Sequence, residues 1–90
     1  MDVGPGPEVA KMIEKIAYGF PEVKDVHRVR LRQVGQRIFG EMHIHLDKNV
    51  TLEKAHNISM LVENTVKNKI EGLENIVIHF GPADAHKEVM

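Results

Sequence analysis

The sequence contains no cysteine and no tryptophan, and its aromatic side chains are one tyrosine and three phenylalanines. Without thiols there can be no disulfide, thiolate zinc finger, cysteine-based copper(I) site or cysteine nucleophile. The net charge of −1 argues against nucleic acid, because neutralising phosphates requires an excess of basic residues. No apolar run approaches the roughly 18–20 residues that cross a bilayer, and no signal-peptide pattern opens the chain. We therefore expect one small soluble domain, of the size that often borrows stability from a partner or a metal.

Histidine is the one residue type present in unusual number, with six in 90 residues. Imidazole is the commonest neutral metal ligand in proteins, and it titrates near physiological pH. Function is therefore to be sought first among the histidines. They are His27, His43, His45, His56, His79 and His86.

Hydrophobic periodicity divides the chain into two helices and three strands. Apolar side chains three and four residues apart predict an amphipathic helix that begins near Pro7 and ends before Gly19. Thr51 is a favourable N-cap for a second, longer helix, and Gly72 follows its end. This order predicts an α+β fold with both helices on one face of a three-stranded sheet. The predicted elements are helix 7–18, strand 23–34, strand 38–47, helix 52–70 and strand 73–80.

The sheet face away from the helices is expected to carry histidines. The strand 38–47 alternates apolar and polar residues, which places His43 and His45 on its polar side. His79 takes the same side of the third strand if its apolar neighbours point inward. Simple alternation places His27 on the core side of the first strand. For His27 to act with His43, either a β-bulge changes the direction of its side chain or His27 binds at the rim of the sheet.

Several imidazoles with nearby carboxylates suit zinc, which takes three or four ligands at about 2.0–2.2 Å. Cobalt, nickel and cadmium share these ligand types. The ordinary alternative is that each histidine is a solvated surface residue, and the sequence has no compact His-x-x-x-His or His-Glu-x-x-His motif. His56, at the edge of a helical apolar stripe, fits either interpretation. The arginines of the first strand, at 28, 30 and 32, favour cross-strand charge pairing over a phosphate site.

Four segments of the chain occur together, in this order, in a known family. They are Val26–Gly35, Phe39–Leu46, Leu52–His56 with its Ala-His pair, and Ile76–His79 followed by Pro82. In this set the chain resembles the cytoplasmic C-terminal domain of cation diffusion facilitator transporters. The lead-in Asp2–Glu8 resembles the segment that joins the last membrane helix to that domain.

The resemblance implies a ferredoxin-like, metallochaperone-like α-β-β-α-β domain that homodimerises on the cytoplasmic side of the cell membrane. Such transporters expel divalent metal, commonly zinc, in exchange for protons. The cytoplasmic domain is expected to regulate this transport, which is carried out by a membrane domain that this chain does not contain. On this basis residues 7–82 are the metal-binding dimerisation domain, 1–6 a linker and 83–90 a flexible tail. No enzymatic activity is implied.

The resemblance also implies a set of zinc ligands. The family's ligand positions match His27, His43, His56 and His79. His45 matches no ligand position, although it shares the face of His43 and is a candidate substitute. Many members have an acidic residue where this chain has Gly81. Loss of that carboxylate favours a single ion over a binuclear centre.

Three other functions compete with this interpretation. The first is a ferredoxin-like dimerisation or small-molecule-sensing domain in which the histidines have no metal role. The second is an RNA-binding module, which stacks bases on strand aromatics, whereas only Phe39 and Phe80 are available in these strands. The third is an enzyme, for which the sequence offers no nucleophile elbow, phosphate loop or defined pocket.

Overall fold

The protein is described by a computed structural model that covers residues 5–82. The helices and strands follow one another in the predicted α-β-β-α-β order, and β3 extends to Pro82 rather than ending at Phe80. The expected tail and residues 1–4 of the expected linker lie outside the described residues. The elements are α1 (Pro7–Tyr18), β1 (Val23–Val34), β2 (Arg37–Leu46), α2 (Leu52–Lys69) and β3 (Leu73–Pro82).

The sheet has the order β1-β2-β3, so that β2 is its central strand. β1 and β2 form an antiparallel hairpin around Gly35, whose positive φ of 62° suits glycine. β2 and β3 are parallel, and α2 is the crossover between them. Gly72 lies between α2 and β3. Glycine suits this position because a Cβ there would lie 2.9 Å from the carbonyl oxygen of Gln36. The backbone carbonyl of Gly72 accepts a 2.8 Å hydrogen bond from the N–H of Ile38.

Local signals in the sequence explain where the helices begin and end. Pro7 occupies the first position of α1, where its missing N–H costs no hydrogen bond, and the N–H of Gly19 donates to carbonyls of the last turn. The hydroxyl of Thr51 accepts a 3.1 Å hydrogen bond from the N–H of Lys54 and caps α2. These caps satisfy groups that a helix leaves without internal partners.

The core lies between the helices and one face of the sheet. α2 contributes the predicted stripe that begins at Ala55, whereas Leu52, also expected there, is 78% exposed because it stands one turn before the helix reaches the core. No helix within residues 5–82 combines the length and apolar character needed to cross a membrane. The largest fully enclosed side chains are Ile13, Met42, Ile44, Leu46, Val62, Val66 and Ile76.

Candidate metal centre

A β-bulge in β1 decides which face of the sheet His27 occupies. His27 lies opposite His43 of β2, and Arg30 lies opposite Glu41, so β1 has one residue more than β2 between these pairs. Within the bulge Arg28 has a φ of 55°, the one positive φ of a non-glycine residue among residues 5–82. The extra residue reverses the alternation of the strand. His27 is therefore on the open face, and simple alternation, which put it on the core side, was wrong.

Three histidines form a row across the open face, one from each strand. His43 of the central strand lies opposite both His27 and His79. The ring centroids are 5.8 Å apart for His27 and His43, and 4.6 Å apart for His43 and His79, and both pairs are stacked. The Nε2 atom of His79 lies 3.8 Å from the carboxylate of Glu41. We refer to His27, His43 and His79 as the histidine row.

A second group of donors lies beside the row, on the same face. Asp25 of β1 lies opposite His45 of β2, and His45 in turn lies opposite Gly81 of β3. The carboxylate of Asp25 is 3.3 Å from Nδ1 of His27 and 3.7 Å from Nδ1 of His45. One ligand atom from each of these three residues lies within 4.8 Å of the other two. We refer to Asp25, His27 and His45 as the Asp–His–His cluster.

The carboxylate of Asp25 lies within hydrogen-bond distance of both Tyr18 and His27. The hydroxyl of Tyr18 donates to Asp25 at 3.2 Å and accepts from the N–H of Val26 at 3.0 Å. Burial alone would raise the pKa of Asp25, but hydrogen bonds with His27 and Tyr18 and the charge of His27 hold this pKa below its ordinary value. Asp25 is therefore an anion at neutral pH, the form that binds a cation.

The central histidine of the row favours its neutral form. Burial lowers the pKa of His43, and the positive charges of His79, Arg28 and His27 lower it further, against the opposing carboxylate of Glu41. A neutral imidazole is the form that coordinates a metal, because the nitrogen lone pair must be free.

His56 lies apart from these residues. It is an exposed residue of α2, which packs on the other face of the sheet. Of the four ligand positions implied by the resemblance, one protomer thus brings together three and leaves His56 away from them. His86 lies outside the described residues.

Asp25 is the residue of this face that the sequence analysis missed. A signal for it was present, because residues two apart in a strand point to the same side, and Asp25 precedes His27 by two. His45 was recognised only as a candidate substitute, and it is 7% exposed.

The donor set of the open face fits a borderline divalent cation. Imidazole nitrogens with one or two carboxylates suit zinc, cobalt and nickel, whereas copper(I) prefers sulfur ligands and magnesium prefers oxygen. Within one protomer, β1 and β2 supply neighbouring candidate ligands, and β3 supplies His79 beside them. Such a face can bind a cation.

Comparison with known protein families identifies the family of this chain. Residues 5–83 match the family model described as the cytoplasmic domain of cation efflux proteins. This chain belongs to that family. The resemblance drawn from the four sequence segments is confirmed, and so is the ferredoxin-like fold that it implied. The family is one of efflux transporters rather than enzymes.

Curated relatives are longer proteins that contain this domain. An uncharacterised transporter of Methanocaldococcus jannaschii is 35% identical over 72 residues, which are 80% of this chain and 24% of that protein. Magnetosome protein MamM of Magnetospirillum gryphiswaldense is 37% identical over 76 residues, 84% of this chain and 24% of that protein. The chain thus spans about a quarter of the length of these relatives.

Solved structures of related domains have the same fold. The metal-bound C-terminal domain of the CzcD transporter from Thermotoga maritima superimposes with a TM-score of 0.79 at 29% identity, covering 84% of this chain and 88% of that one. A variant of the MamM C-terminal domain in its cadmium form gives a TM-score of 0.79 at 35% identity, covering 83% and 94%. Both of these neighbours are described with metal.

Proposed function

We propose that this chain is the cytoplasmic regulatory domain of a divalent-cation efflux transporter, that it homodimerises, and that it binds zinc through histidines. The observation that carries the proposal is the histidine row, in register across all three strands on a face that the helices leave open. His27, His43 and His79 are the proposed ligands within one protomer. His56 lies away from them and would join a shared ion only from the partner protomer.

Family membership supports this function. The matching family model bears the name ZT_dimer, in keeping with a domain that pairs with a second copy. Related domains have been crystallised in cadmium and nickel forms, which are cations of the borderline class that imidazole prefers. The chain corresponds to about a quarter of each transporter it resembles, so the membrane domain that it would regulate is the remainder of such a protein.

The proposed mechanism is a shift between two arrangements of the protomers. Without metal, imidazoles and carboxylates on the open face leave the protomers mobile relative to one another. A divalent ion that gathers ligands from separate elements stabilises the closed arrangement by as much as its affinity for that arrangement exceeds its affinity for the open one. The membrane domain then responds to this change in geometry.

Calorimetric titration with zinc at pH 7.5 and pH 5.5 tests the ligation. Because histidine coordinates only when neutral and its ordinary pKa is about 6.5, affinity is expected to be clearly lower at pH 5.5. Equal affinities at the two values, or no uptake at pH 7.5, would reject zinc binding through histidine. Magnesium serves as the control cation, since it prefers oxygen ligands and should produce little heat.

Sedimentation analysis, with and without zinc, tests the regulatory part. A dimer whose sedimentation coefficient rises with zinc is the expected result, because the closed arrangement is more compact. A chain that stays monomeric under both conditions at micromolar concentration would reject the dimer. A dimer of unchanged shape would instead favour the alternative of a dimerisation domain without a metal role.

A further inference from the structure

The Asp–His–His cluster has the spacing of a metal site before any ion is added. Ligand atoms about 2.1 Å from a tetrahedral zinc lie about 3.4 Å from one another. The carboxylate of Asp25 is already 3.3 Å from Nδ1 of His27 and 3.7 Å from Nδ1 of His45. No two of the three ligand atoms are more than 4.8 Å apart. The cluster is therefore close to the geometry that coordination requires.

The cluster is also built into the sheet rather than spread over its surface. His45 comes from the central strand and is 7% exposed, so the sheet holds its ring in place. Register shifts in β1 stand on both sides of the segment that carries Asp25 and His27. Bulges of this kind redirect side chains, and here they leave both residues on the face of His45. Ligands that are ordered in advance lose little entropy when they bind.

The histidine row differs from the cluster in two respects: its carboxylate lies within 4.0 Å of one imidazole rather than two, and one of its end rings is half exposed. Its members His43 and His79 stack at 4.6 Å between ring centroids, and the carboxylate nearest to them, that of Glu41, is 3.8 Å from Nε2 of His79. The side chain of His79 is 50% exposed, in contrast to 8% for His45. An ion bound at that end of the row would have to displace water from a half-exposed ring.

We propose that Asp25, His27 and His45 bind the first and tightest divalent cation of this domain, with His43 and His79 as weaker donors beside it. This inference rests on the proposed function in one respect, that the open face binds a divalent cation at all. Two imidazoles and one carboxylate define the ligand as a borderline cation such as zinc or cobalt(II), with water free to complete the coordination.

The test is titration of the chain with zinc and with cobalt(II), comparing Asp25→Asn with Glu41→Gln. Both variants remove one carboxylate of the open face, and the two side chains are similarly exposed, 41% for Asp25 and 44% for Glu41. Asp25→Asn is expected to weaken the first binding event at least about tenfold, the lower end of what loss of even an outer-shell partner costs. Glu41→Gln is expected to leave that event nearly unchanged, and the cobalt absorption bands should change only in Asp25→Asn.

Two further variants separate this inference from the proposed function. His45→Gln should weaken the first event and His79→Gln should spare it. Should His79→Gln abolish binding while Asp25→Asn and His45→Gln bind as the unmodified chain does, the inference is rejected and cation binding by the face stands. An unmodified chain that takes up neither zinc nor cobalt would reject both.

The test of the Asp–His–His cluster does not depend on His45→Gln remaining folded. His45 is buried, so its replacement can lower the thermal midpoint, which is measured first without metal. Asp25→Asn keeps the size of the side chain and an oxygen that can accept from Tyr18, and it decides the question alone. In the unmodified chain, nitrogen-15 spectra of the imidazoles should show the ring nitrogens of His27 and His45 shifting before those of His79 as zinc is added. The reverse order would contradict the inference.

Discussion

The two faces of the sheet differ in composition although they alternate along the same strands. On the covered face Met42, Ile44 and Leu46 of β2 are at most 2% exposed and belong to the same hydrophobic core as the buried residues of both helices. On the open face the same strand presents Glu41 and His43, which keep contact with solvent. Stability therefore depends mainly on one face, and recognition of a ligand can depend on the other with little cost to folding.

His45 is the exception to this division. It lies on the open face, yet it is 7% exposed, close to the burial of the core residues on either side of it. Asp25 and His27 lie against it, with 4.6 Å between the ring centroids of the two histidines. The open face thus has a structured end at the Asp–His–His cluster and a more solvated end at His79.

The largest effect should come from the covered face. Ile44→Ala removes a fully buried side chain and is expected to lower the free energy of unfolding by about 2–5 kcal/mol, because it leaves a cavity in the core. Urea unfolding measures the change. Zinc affinity of the remaining folded protein should stay near that of the unmodified chain, and a large loss of affinity would show that the faces are not independent.

The next effect should come from the open face. His27 belongs to both the histidine row and the Asp–His–His cluster, so His27→Gln is expected to weaken zinc binding at least about tenfold whichever donors complete the site. The metal-free free energy of unfolding should change by less than about 1 kcal/mol, as for other partly exposed positions. Val77→Ala, which alters the same face without removing a donor, is the control for both measurements. A zinc affinity unchanged in His27→Gln would contradict the assignment of the face.

A smaller effect is expected at the bulge that joins the two faces. Arg28 has a φ of 55°, which glycine adopts freely and a β-branched side chain resists. Arg28→Gly should be neutral or stabilising by up to about 1 kcal/mol, and Arg28→Val should be destabilising by about 1–2 kcal/mol. Zinc should bind more weakly to the valine variant than to the glycine variant, since loss of the bulge would turn His27 toward the core. Equal stability of the two variants would show that the bulge does not depend on this conformation.

The smallest effect is the pH dependence of the metal-free fold. The pKa of His43 is lower in the folded protein than in the unfolded chain, so the unfolded chain takes up the proton more readily. Stability is therefore complete above the unfolded value of about 6.5 and declines as the pH falls below it. In the presence of a chelator, the thermal midpoint at pH 5.0 should be below that at pH 7.5. His43→Gln should reduce this difference, and an equal difference in both proteins would assign it to other groups.

The elements of the fold could be predicted because their signals are local. The N-cap at Thr51, the glycine at 72 and the alternation of β2 each act within a few residues, and each was found where the sequence indicated. The helix stripe was predicted too far toward its start, at Leu52, because periodicity alone does not show where a helix first meets the sheet.

The candidate site could be predicted only in part. His43, His45 and His79 were placed on one face from alternation, whereas His27 was placed on the wrong one and Asp25 was overlooked. The error at His27 comes from the extra residue at the bulge, which reverses the direction of the side chains from Asp25 to His27 and leaves no clear trace in composition or spacing. A second register shift, before Asp25, returns Val23 to the covered face.

The amino-acid sequence by itself determined that this chain forms two helices and three strands, with imidazoles rather than thiols as its borderline-metal donors, because those properties follow from residue type and short-range periodicity. The tertiary structure alone decided which imidazoles become neighbours. Strand pairing brings together residues that are far apart in the chain, as it does His27, His43 and His79, and a shift of one residue in register transfers a side chain from one face of the sheet to the other.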